Sequence, residues 1–180
     1  MNVLAICGSL RQASFNHMAV RAAQKLAPEG MTISVADIGN IPLYNEDVRL
    51  AGPPEAVTQL REAVRAADAL LFVSPEYNFS ISGVLKNAID WLSRPPSQPL
   101  DGKVAAIMGA ATGMLGTARG QYHLRQILTG VNVYVVNKPE VFITNAASKF
   151  DAAGALTDEA TQKVIADLLL ALQKLHGKLG

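Results

Sequence analysis

Of 180 residues, 49% are hydrophobic and 17% charged, and the formal net charge is +1. That is enough apolar material for one domain spanning residues 1–180. Basic and acidic residues are too evenly interspersed for a nucleic-acid or membrane-surface footprint. No apolar run approaches a spanning helix, and the single cysteine, Cys7, excludes an internal disulfide and any multi-cysteine metal site.

The chain opens on a short apolar run, Asn2 to Cys7, that reads as a buried strand. It has no basic leader region, so it is not expected to be a signal peptide, and a cytoplasmic protein is expected. The strand empties into Gly8-Ser9-Leu10-Arg11-Gln12-Ala13-Ser14-Phe15-Asn16. A helix pattern then runs from Asn16 to Leu26, with Ala19, Val20, Ala23 and Leu26 on one face. A helix start offers unpaired N–H groups and a positive dipole end. Ser9, Ser14 and Asn16 add neutral hydrogen-bonding groups and Arg11 adds charge, a set suited to a dianionic phosphomonoester. The loop has neither the glycine–lysine pattern of a P-loop nor the G-x-G-x-x-G fingerprint, so a terminal monophosphate is expected rather than a pyrophosphate. Flavin mononucleotide (FMN) is the leading candidate.

Further strands are predicted at Met31–Asp37, Ala69–Ser74, Val104–Gly109 and Asn132–Val136. Helices are predicted between them at Glu55–Ala67, Gly83–Ser93 and Thr117–Thr129, and a last one at Thr157–Leu175 with Thr157 as N-cap. Strands apolar on both faces and alternating with helices define an α/β sandwich of three layers around a five-stranded parallel sheet. The flavodoxin-like order 2-1-3-4-5 is expected, with ligands beyond the carboxyl ends of the strands at the switch between the first and third. Pro95-Pro96-Ser97-Gln98-Pro99 falls at the opposite end and reads as a rigid turn.

The loops after the third and fourth strands therefore matter. In the former, Pro75 fixes the chain's exit, Tyr77 offers a flat face, and Glu76 and Asn78 offer polar edges for a heteroaromatic ring. In the latter, Gly109 to Arg119 includes three glycines and small residues, Ala111, Thr112 and Gly113 among them. Such a backbone can pass close to a ring and aim N–H groups at it. His17, His123 and His176 have no metal-ligand spacing and read as surface or interface residues; no metal site is expected. Cys7 reads as a buried, inert thiol, and no nucleophile elbow surrounds Ser9 or Ser14.

Four segments, Gly8-Ser9-Leu10-Arg11 with Ser14 and Asn16, Pro75-Glu76-Tyr77-Asn78, Gly83 to Arg94, and Gln121 to Leu128, resemble the NADPH-dependent FMN reductase family. Bacterial soluble quinone and chromate reductases are the branch most similar. Ile41-Pro42-Leu43-Tyr44 and Asn137-Lys138-Pro139-Glu140 extend the resemblance through Glu140, whereas the tail after Val141 adds little to it.

The resemblance implies that Ser9, Arg11, Ser14 and Asn16 hold the FMN phosphate, with Leu10 and Phe15 contributing backbone. Pro75, Glu76, Tyr77 and Asn78 are implied to line the ring and ribityl chain. Ala110 and Ala111 replace serines frequent in the family, and Thr117 stands where glycine is usual, which removes hydroxyl contacts and leaves backbone ones. A homodimer or homotetramer is implied, with Trp91 as an interface anchor and Tyr122 and Arg125 meeting Glu140 of a neighbouring subunit. The implied activity is FMN-dependent NAD(P)H oxidation with reduction of quinones and other small acceptors such as chromate, azo compounds, ferric complexes or free flavin. Because the flavin carries the chemistry, no catalytic side chain is assigned. Two other readings share parts of this pattern: an electron-transfer flavodoxin, against which the +1 charge speaks, and a phosphate-binding module without flavin.

Overall fold

The computed structural model describes residues 1–179. Its elements are β1 (Asn2–Cys7), α1 (Phe15–Lys25), β2 (Thr32–Val35), α2 (Glu46–Ala51), α3 (Glu55–Ala66), β3 (Ala69–Val73) and α4 (Gly83–Leu92). They continue with β4 (Val104–Ala110), α5 (Ala118–Gly130), β5 (Tyr134–Val135), β6 (Val141–Ile143) and α6 (Glu159–Leu179). The strands pair in the expected order β2-β1-β3-β4-β5, all parallel, in the flavodoxin-like arrangement.

Alternate residues of the central strands serve opposite layers, as the two-residue period of a strand requires. Val3, Ala5, Leu71, Val73, Ala106 and Met108 pack beneath α1 and α6. Leu4, Ile6, Leu70, Phe72, Ala105 and Ile107 pack beneath α3, α4 and α5. A strand buried on both faces must be apolar at every position, hence the unbroken hydrophobic runs.

The sequence-based expectation differs from the fold at the second edge of the sheet. Only Tyr134 and Val135 of the fifth run pair, with Val104 and Ala105. The chain then leaves the sheet through Val136–Glu140 and returns as β6, which pairs with Met108, Gly109 and Ala110. Two short strands thus share the length of β4, and the segment after Val141 completes the edge beside the switch point. Three apolar residues with no alternation carry too little periodicity to reveal such a strand. The six-residue helix α2 and a 3₁₀ turn at Ala146–Ser148 were likewise not expected. The cap of α6 is Asp158, whose carboxylate accepts the Thr161 N–H at 2.9 Å. Thr157 instead donates to Lys149 O, so it is not the cap.

Trp91 corrects another expectation. It is 1% exposed and its indole N–H donates to Pro42 O at 2.8 Å, while its ring meets Tyr44 edge-on at 4.9 Å. Beside it Asn87 donates to Pro42 O at 2.9 Å and accepts the Tyr44 N–H at 2.8 Å. The Ile41–Tyr44 segment covers this flank of α4, so Trp91 is part of the core and not a free interface anchor. The Pro95–Ser97 turn is braced from below: buried Arg61 donates to the carbonyls of Trp91, Arg94, Pro96 and Ser97.

Candidate functional site

The carboxyl ends of β1, β3 and β4 open into one crevice of about 260 Å³. From the first loop it is lined by Ser9, Arg11, Ser14, Phe15 and Asn16, from the second by Pro75, Glu76 and Tyr77, and from the third by Ala110, Ala111 and Thr112. A larger cleft of about 340 Å³ lies along the second half of α1 against Ala153–Leu156, remote from these strand ends.

Gly8 lets the first loop form. Its N–H continues the β1–β3 ladder to Val73 O, and a Cβ there would stand 2.7 Å from Ser82 Oγ and 3.1 Å from Leu85 Cβ at the start of α4. Ser14 is the N-cap of α1 and its hydroxyl oxygen accepts the Asn16 N–H at 3.1 Å. His17 Nε2–H donates to Ser9 O at 2.7 Å, tying the loop's first residue to the helix. His17 is therefore a brace of this loop, a role its isolated position in the sequence did not signal. Among the described residues, the Arg11 guanidinium and the Ser9 hydroxyl have no hydrogen-bond partner in the protein, while the Arg11 carbonyl accepts the Ser14 N–H at 3.1 Å; Ser9 and Ser14 are buried. Cys7 is buried at the head of the loop, and that burial pushes its thiol pKa up.

Asn16 sits in the crevice wall with its carboxamide already engaged. Its Nδ2 donates to Ala110 O at 3.1 Å and its Oδ1 accepts the Ala110 N–H at 2.9 Å. The side chain thus joins α1 to the end of β4, and its second Nδ2 hydrogen has no partner among these bonds. Ala111 lines the crevice with its backbone engaged: its N–H donates to Ile143 O, and its carbonyl accepts the Ala146 N–H. The first partner belongs to β6 and the second to the 3₁₀ turn at Ala146–Ser148, neither of which the sequence disclosed. Thr112 lines the crevice, whereas Leu10, Asn78 and Gly113 are not among its lining residues. Leu10 is 58% exposed and lies against Gly39.

The second loop turns sharply after Pro75. Tyr77 and Ser80 exchange two backbone hydrogen bonds of 2.9 Å each around Asn78 and Phe79. The Glu76 carboxylate faces α5, pairing with Arg119 at 2.7 Å and accepting the Gly120 N–H at 3.0 Å. Gly109 lets the Ser74 carbonyl at the exit of β3 and Thr117 of the third loop pack against β4, since a Cβ there would collide with both.

Farther out, Glu140 pairs with Lys138 of the same chain at 2.5 Å. Lys138, Tyr122 and Arg125 together hold its carboxyl below the usual range. Tyr122 and Arg125 therefore lie beside their own chain's Glu140, and Arg125 donates to Val136 O at 3.0 Å. No group of three or more metal-ligating side chains occurs among the described residues.

A flavodoxin-like sheet with a hydroxyl- and arginine-bearing loop at its switch point defines a mononucleotide-binding α/β protein. The chain belongs to the NADPH-dependent FMN reductase family, whose profile matches residues 1–148. It is 57% identical over 173 residues to an NAD(P)H-dependent FMN reductase of Pseudomonas aeruginosa, covering 96% of this chain and 94% of that one. It is 46% identical over 164 residues to a quinone reductase of Escherichia coli K12, covering 89% and 87%. In three dimensions it is similar to FerB, a flavoenzyme NAD(P)H:acceptor oxidoreductase of Paracoccus denitrificans. There the TM-score is 0.91 at 37% identity, with 99% of this chain and 98% of that one covered.

Proposed function

We propose that this protein is an FMN-dependent NAD(P)H oxidoreductase that reduces quinones, with residues 1–180 acting as one flavin-binding domain. The observation that carries the reading is the pairing, at one switch point, of unspent phosphate-binding groups with two loops built to flank a ring. Arg11 and the hydroxyls of Ser9 and Ser14 take the phosphate, helped by the N–H groups opening α1. Arg11 supplies the charge that the two serines lack. Pro75, Glu76 and Tyr77 border the ring and ribityl chain with backbone and aromatic surface, and Thr112 faces them from the third loop. Among the described residues, the backbone N–H groups of Glu76 and Thr112 have no protein partner, so both are free to donate to ring heteroatoms. Asn16 and His17 hold the loops in place, and the second Nδ2 hydrogen of Asn16 is available to the phosphate.

FMN, when bound, supplies the redox chemistry, taking a hydride from NAD(P)H and giving two electrons to the acceptor. The crevice is at the small end for a ligand site, so it grips one side of a mononucleotide and leaves a ring face open to nicotinamide and acceptor in turn. That openness suits quinones and accommodates chromate, azo compounds, ferric complexes or free flavin. In this reading the enzyme works in the cytoplasm as a homodimer or homotetramer. Tyr77, Phe79, Met114 and Leu115 are exposed on the second and third loops at this end of the sheet, and a second copy would cover them.

An absorption spectrum tests the reading. Protein reconstituted with FMN is expected to show oxidised-flavin bands that NAD(P)H alone bleaches and a quinone restores. Failure to retain FMN, or bleaching that requires a separate reductase, would overturn it.

A further inference from the structure

We propose that Arg119 is a positioning residue for the flavin site, fixing through Glu76 and Phe79 the turn that carries Tyr77. The proposal rests on the flavin-binding reading above.

The turn is conformationally costly. Asn78 and Phe79 have φ of 50° and 69°, two successive left-handed residues of which neither is glycine. With the reciprocal Tyr77–Ser80 hydrogen bonds this is the geometry of a two-residue hairpin whose preferred sequence is Asn-Gly. An aromatic residue in the second position is disfavoured by its Cβ and persists only where the surroundings over-determine it.

Within the single chain burial does not supply that determination, because Tyr77 and Phe79 are both more than half exposed. The contacts come from the first two turns of α5. The Arg119 guanidinium lies 3.8 Å from the Phe79 ring centroid while pairing with Glu76 at 2.7 Å. Gly120 N–H reaches the other Glu76 oxygen at 3.0 Å, at the end of the helix where a carboxylate is favoured. His123 Nδ1 meets Ser80 Oγ at 3.2 Å. The Glu76 side chain is only 8% exposed and the Arg119 side chain 43%, so the carboxylate is shielded while the guanidinium meets solvent on its outer side. One cation thus holds both the start and the strained tip of the turn. Since α5 follows directly from the loop bearing Thr112, the clasp also links two walls of the crevice.

If the clasp holds a costly conformation, removing it lowers the fraction of protein competent to bind flavin, and apparent affinity falls by that fraction. Arg119→Ala is expected to weaken FMN binding about tenfold, read by quenching of flavin fluorescence on titration into apoprotein. Glu76→Gln is expected to do the same, and Arg119→Lys to recover part of the loss. The deciding variant is Phe79→Gly in the Arg119→Ala background. It installs the preferred Asn-Gly turn and is expected to return affinity to near the wild-type value without restoring the charge. Wild-type affinity in Arg119→Ala, or a loss that Phe79→Gly does not repair, would overturn the positioning role. Failure of the wild type itself to bind FMN would overturn the flavin reading instead.

Discussion

The carboxamide of Asn16 exchanges two hydrogen bonds with the backbone of Ala110, donating to its carbonyl at 3.1 Å and accepting its N–H at 2.9 Å. Residues far apart in sequence thereby fix the distance between the first loop and the third. Asn16→Ala is expected to leave two buried backbone groups unpaired and to cost about 2–4 kcal/mol of stability, measured by urea denaturation. Asn16→Asp keeps the acceptor but sets a carboxylate against the Ala110 carbonyl, so it should be at least as damaging near neutral pH. A variant of wild-type stability would show that the pair is dispensable.

Arg11 makes the opposite case, an exposed cation with no protein partner whose loss should leave folding intact. Arg11→Ala is expected to weaken FMN binding about ten- to a hundredfold, the worth of a charge-assisted hydrogen bond. Titration of FMN into the apo variant, with its urea midpoint as a control, separates this from the Asn16 effect.

Trp91 fills the interior between α4 and the Ile41–Tyr44 segment. Trp91→Ala is expected to lower stability by about 3–5 kcal/mol through loss of a large buried side chain. Trp91→Phe should cost less, because Pro42 O keeps its bond from Asn87. Both follow from denaturation curves; an Ala variant with an unchanged midpoint and altered subunit association would restore the interface role.

Asp158 caps α6, and its hydrogen bonds with Thr161, aided by nearby Lys149, hold its carboxyl below the usual aspartate range. Because the folded pKa is the lower one, the stabilisation is full above the unfolded pKa and is lost as pH falls through the folded one. Asp158→Asn should therefore melt at a lower temperature than wild type at neutral pH, with the difference shrinking on acidification. Thermal melts of both proteins across the acid range check this, and a difference that stays constant with pH contradicts it.

If nicotinamide and acceptor use the same open ring face, they cannot bind together. Initial-rate plots at several quinone concentrations are expected to be parallel. Intersecting lines would mean that both substrates fit at once.

The parallel sheet and the hydroxyl- and arginine-bearing loop were legible in the sequence because both are local. Doubly buried strands must be apolar at every position, and the cluster Ser9, Arg11 and Ser14 stands immediately before a helix start. What the tertiary structure decided is how each polar group is spent. Nothing near Asn16 in sequence announces that Ala110 claims both ends of its amide, and nothing near Ala111 announces Ile143, because the three-residue strand β6 has too little pattern to be recognised alone. Trp91 likewise occupies a flank of α4 that its helical spacing leaves free, until the Ile41–Tyr44 segment folds over it. The physical reason is common to all three. Periodicity reports which face of an element is apolar, whereas a hydrogen-bond partner is chosen by proximity, and proximity between distant segments exists only once the layers have packed.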